Sequence, residues 1–170
     1  MVDGCCKSRT GQCGGCGGCH GHMPQFSAAE STLLRLLRIA PFLPICRFVL
    51  KTSRSAHLSS VALEPVFLAK PTDTLQTVQA NAAALKHLAS LGIIVLDYDI
   101  PIINCDYTDY KESQVFKYFE ETVAEGGKRN PAFLFDTADL ECGSLALTDA
   151  GQAFLDILNA SFSFDESQNG

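Results

Sequence analysis

The chain has 170 residues, 46% of them hydrophobic and 19% charged, which excludes a disordered polymer and leaves room for one ordinary domain with a tail. Its formal charge of -6 is unevenly spread. Residues 1–70 hold eight Lys/Arg against three Asp/Glu, and residues 71–170 hold five against sixteen. That balance weighs against strong DNA binding, because phosphate neutralisation supplies most of the non-specific affinity, although a local patch can still bind.

Residues 1–25 form a Cys/Gly-rich tail with little that packs into a core. Cys13, Cys16 and Cys19 stand three residues apart on small residues that let the backbone curl round one ion. Cys5, Cys6, His20 and His22 are the candidates to complete four-coordination. With zinc this donor set makes a closed structural site. An iron–sulfur cluster is the alternative, although the fourth cysteine followed by proline of the ferredoxin run is missing. Cys16-Gly17-Gly18-Cys19-His20 also matches a haem-attachment pattern, which needs an export signal that is not visible. A tail that binds metal weakly is the plain alternative.

No secretory signal opens the chain, and Arg35, Arg38, Arg47, Pro41 and Pro44 interrupt its most apolar stretch. These features predict a cytoplasmic protein with no membrane span, whose cysteines are thiols or metal ligands.

A main domain is predicted over residues 26–160, with a flexible tail over 161–170. Ser27 and Glu30 form a capping box for a helix that ends at Pro41. Pro44–Lys51 and Val61–Lys70 read as two strands of a hairpin, with a polar loop between them. Asp73 and Gln76 predict a capped helix whose stripe is Leu75, Val78, Ala82, Leu85 and Ala89. Gly92 stops it, and a strand follows over residues 93–98.

Asp109 and Glu112 predict the start of a third helix that Gly126 and Gly127 end. Ala132–Phe135 is a short strand or turn. Gly143–Leu147 is a return strand, and Thr148 caps a last helix with Ala150, Phe154, Ile157 and Leu158 inward. Cys46 and Cys142 sit in apolar contexts as core residues. Cys105 beside Asp106 is a poor nucleophile, because a neighbouring carboxylate disfavours the thiolate. Asp97, Asp99, Asp106, Asp109 and Glu112 read as a solvated acidic face, since they lack the glycine and terminal glutamate of a calcium loop.

Leu85, Leu88, Leu91, Gly92, Ile93 and Ile94, answered by Ser144, Leu145, Leu147, Thr148 and Gly151, set out a helix–LGII–strand and strand–LTxxG–helix order. This order resembles winged-helix domains of bacterial transcriptional regulators. The resemblance implies an α+β fold: a winged-helix-like domain with an extra hairpin and an inserted helix, preceded by the Cys/Gly-rich tail. It also implies a central helix in the DNA major groove, with Thr74, Gln76, Gln79, Asn81 and Lys86 as contact candidates. The function expected is a non-enzymatic module that senses metal or redox state. Its partners are DNA, another protein or a second copy. A small electron-transfer protein and an interaction scaffold with an incidental tail are the alternatives.

Overall fold

The computed structural model describes residues 25–130 and 132–165. The fold is α+β: four antiparallel strands in the order β2-β1-β4-β3, with helices on both faces. Helix α1 is Ala28–Ile39, strand β1 Phe42–Thr52, β2 Ser55–Val66, helix α2 Leu75–Ser90 and strand β3 Ile94–Asp97. Then come α3 Thr108–Lys111, α4 Gln114–Arg129, β4 Thr137–Leu147 and α5 Asp149–Asp165. Among the described residues no helix is long and apolar enough to cross a membrane.

Strand β1 explains why there are two cores. Its neighbours Ile45 and Cys46 are both fully buried, yet successive side chains of a strand point to opposite faces. Ile45 joins Leu33, Leu37, Leu85, Leu88 and Leu145 under α1, α2 and α5. Cys46 and Phe48 join Val66, Tyr110, Val115, Phe116 and Leu140 under α3 and α4. A strand clothed on both faces has to read as a near-continuous apolar run, as PICRFVL does.

Several boundaries differ from the sequence expectation. The hairpin strands are longer, and the polar stretch between them is mostly strand β2 with a tight turn at Ser53–Arg54. Asp136 fixes that turn by accepting from Ser53 N at 2.8 Å and Ser53 Oγ at 2.5 Å. Thr74, not Asp73, caps α2 by accepting from Thr77 N at 3.2 Å. Asp73 instead accepts from Ala69 N and Lys70 N, at 2.8 and 3.2 Å.

The predicted third helix divides into α3 and α4, because Ser113 caps a fresh start by accepting from Phe116 N at 3.1 Å. Gly126 and Gly127 lie inside α4, and the Phe133 ring packs 3.5 Å from where a Cβ on Gly126 would stand. Residues 132–135 are turn, and β4 begins at Thr137. Gly151 and Leu155 face the core from α5, with Phe154 and Leu158 packed beside them, whereas Ala150 is exposed and Ile157 is 62% exposed. Helix α5 also runs on to Asp165, past the predicted tail boundary near residue 161.

The two motifs that answer each other in the sequence meet in space. Gly92 has φ +70 and ends α2 in the left-handed region that favours glycine. Thr148 N donates to Ile93 O at 3.0 Å, and Thr148 Oγ1 donates to Gly92 O at 2.5 Å. Thr148 Oγ1 in turn accepts from Gly151 N at 2.9 Å. A Cβ on Gly151 would stand 2.0 Å from Ile93 O, so only glycine lets α5 approach this closely.

We expect Gly151→Ala to cost about 3 kcal/mol in chemical denaturation, the scale of an overpacked core. Gly127→Ala meets nothing within 4 Å. It should stabilise the fold by about 0.5–1 kcal/mol, the helix preference of alanine over glycine.

Candidate functional site

Helix α2 is held on its inner side and open on its outer side. Val78, Ala82, Ala84, Leu85 and Leu88 are buried. Gln76, Gln79, Ala80, Ala83 and Lys86 are exposed and share the opposite face, as a 3.6-residue period requires. Three of the five predicted contact residues therefore lie together: Gln76, Gln79 and Lys86. The other two do not join them. Thr74 is spent on the helix cap, and Asn81 turns inward, its Nδ2 donating to Phe67 O at 3.4 Å.

The second anchor of α2 is a side-chain hydrogen bond to α1 that sequence reading did not find. His87 Nδ1 meets Glu30 Oε1, and the other Glu30 oxygen accepts from Ser27 N at 2.6 Å. Burial pushes the Glu30 carboxyl up, but hydrogen bonds from His87 and Ser27 outweigh it and hold the group below the ordinary carboxylate range. Sequence spacing carries no sign of this pair, since its members stand 57 residues apart. Only Glu30 in the capping box was legible.

The charges of the α1–α2 helix pair differ from those of the sheet beneath it. Helices α1 and α2 contain Arg35, Arg38 and Lys86, and their one carboxylate is the buried, paired Glu30. Arg35, Arg38 and Lys86 are exposed and have no ion-pair partner among the described residues. The carboxylates of β4 are engaged elsewhere. Glu141 accepts from Arg47 at 2.7 Å, and Asp139 accepts from Lys51 at 2.6 Å. The Arg47 guanidinium also lies 4.8 Å from the centre of the Tyr98 ring. Burial, with Glu64 adding to it, pushes the Tyr98 hydroxyl up to about 12.

Of the acidic-face residues, Asp97 accepts from Asp99 N at 2.8 Å and Asp106 from Thr108 N at 2.9 Å, so both serve their own turns.

The predicted metal ligands Cys5, Cys6, Cys13, Cys16, Cys19, His20 and His22 lie outside the described residues. Among the described residues no group of three or more His, Cys, Asp or Glu is placed to hold a metal. Cys46 and Cys142 face each other across β1 and β4. Burial pushes both thiols up, and Cys105 rises too, through burial and then Asp106. These three are poor nucleophiles.

No protein-family model matches the chain. The comparison with curated proteins found no match. A solved structure described as an uncharacterized protein from the hydrocarbon-degrading marine bacterium Alcanivorax borkumensis SK2 is similar at 17% identity, with a TM-score of 0.49. The similarity covers 82% of this chain and 90% of that one.

The Glu30–His87 pair sets a pH dependence. A carboxylate depressed in the folded state contributes stability that is present above its unfolded pKa and lost as pH falls through its folded value. We expect Glu30→Gln to cost about 1.5–3 kcal/mol at neutral pH, the range for a hydrogen bond to a charged group. In denaturant titrations the gap from the parent protein should close as pH falls below about 4.

Proposed function

We propose that this chain is a non-enzymatic, winged-helix-like regulatory module that reads duplex DNA with the outer face of α2 and binds zinc through its N-terminal cysteines. One observation carries the reading: α1 and α2 pack on each other and hold three unpaired cations without a single exposed carboxylate. In a chain of net charge -6, that is a local surface suited to phosphates. The amides of Gln76 and Gln79 project from the same helix, and a glutamine amide pairs with the adenine edge in the major groove.

The rest of the fold supports that role. The Glu30–His87 pair and the Thr148 junction hold α2 from two sides, and a recognition helix has to be rigid to keep its register. Strand β3 and the end of β4 form the short antiparallel pair that stands where a wing would follow the helix. In this reading Cys13, Cys16 and Cys19 supply three thiolates to one zinc ion. Metal affinity then couples to the ordering of the tail, which makes the module a sensor. A cytoplasmic location accords with reduced thiols.

The test is a fluorescence-anisotropy titration of the full chain on a random-sequence duplex. Three phosphate contacts predict a salt slope near -2.7, or roughly a 40-fold loss of affinity between 50 and 200 mM salt. Arg35→Ala, Arg38→Ala and Lys86→Ala together should flatten that slope without unfolding the protein. The same preparation, made without oxygen, should hold about one zinc ion per chain by elemental analysis. Serine at Cys13, Cys16 and Cys19 should remove it. Binding that ignores salt, or zinc that survives the serine changes, contradicts the proposal.

A further inference from the structure

Strand β2 is the long edge of the sheet. It pairs with β1 on one side, and among the described residues no strand pairs with the other. Residues 55–62 are exposed on both faces, including Leu58 at 41% and Val61 at 44%. Natural edge strands of this length are usually protected by a lysine, a proline or an inward charge. None of these lies between Ser55 and Leu63, Pro65 standing only near the far end of the strand, and the register shifts leave Ser59–Val61 as the regular stretch. The opposite edge, β3, has only four residues and needs less protection.

We infer that β2 is a self-association edge on which a second copy of this chain adds its own β2, antiparallel, about a two-fold axis at Ser59. The charges at the two ends of the strand select this occupant. The segment is uncharged between Arg54 at the hairpin tip and Glu64 near its far end. A strand that is positive at one end and negative at the other is self-complementary when two copies run antiparallel. The axis at Ser59 sets Arg54 of each copy against Glu64 of its partner, and Ala56 against Ala62.

Arg54 has no ion-pair partner among the described residues, and Glu64 meets Arg47 only at 3.9 Å. The register of β1 and β2 is unbroken from Ser59 to Val61, next to the axis, and shifts on either side. An open apolar groove of about 200 Å³ flanks the same edge, lined in part by Ala62, Leu63, Leu75 and Tyr118. It offers cover to apolar side chains of the added strand. Leu75 is the one α2 residue that lines this groove, and Gln76, Gln79 and Lys86 are not part of it.

The experiment is sedimentation velocity on the full chain from about 5 to 200 μM, with reductant and chelator present so that tail thiols cannot link copies. The expected result is a concentration-dependent shift from 18.3 kDa to twice that mass. Leu58→Lys and Arg54→Glu should each leave a monomer with unchanged circular dichroism. Combining Arg54→Glu with Glu64→Arg should restore the dimer. A chain that stays monomeric throughout overturns the inference and leaves the edge to another polypeptide. A dimer that survives Leu58→Lys overturns it as well. Failure of the double exchange to restore association overturns the two-fold register.

Discussion

Everything in this fold hangs on the place where Thr148 grips Gly92 and Ile93. One threonine ends a strand, starts a helix and ties both to the turn that follows α2. Its backbone amide and hydroxyl donate to carbonyls of that turn, and its hydroxyl accepts from Gly151 N. The absence of side chains at Gly92 and Gly151 is what lets the two turns come this close. Loosening the contact would free the C-terminal end of α2, the entry to β3 and the start of α5 together. The LGII and LTxxG motifs are halves of one clamp.

The sheet supplies the second constraint. Because β1 is central and buried on both faces, it separates a core under α1, α5 and most of α2 from one under α3 and α4 that Val78 of α2 also joins. Acidic residues collect in the second half of the sequence, where those of β4 pair with Arg47 and Lys51. The α1–α2 pair keeps its cations unpaired. Helices α1 and α2 thus carry three exposed cations and no exposed carboxylate in a chain of net charge -6.

Much of this was legible from residue order, and the reasons are physical. The Ser27–Glu30 box, the Gly92 stop and the Thr148 cap are local signals that stand in the fold, and of the α2 stripe Val78, Ala82 and Leu85 are buried while Leu75 is 41% exposed. Of the five polar candidates on α2, Gln76, Gln79 and Lys86 stand together on the outer face. Strand β2 was legible from Val61 on, but residues 55–60 were not, because an edge stretch exposed on both faces has no alternation to read. Thr74 and Asn81 were misread because their partners are a neighbouring amide and the distant Phe67 carbonyl. The Glu30–His87 pair was invisible for the same reason, since only the fold brings it together.

The central claim is that the carboxylate-poor α1–α2 face meets DNA and does so through the outside of α2. An amide-resolved NMR titration of the isotope-labelled full chain with a duplex tests this directly. The account predicts that shifts concentrate at Gln76, Gln79, Ala83 and Lys86, with Arg35 and Arg38 following, while β2 and α4 stay still. Shifts confined to β2 and α4, or no shifts at low salt, would contradict it.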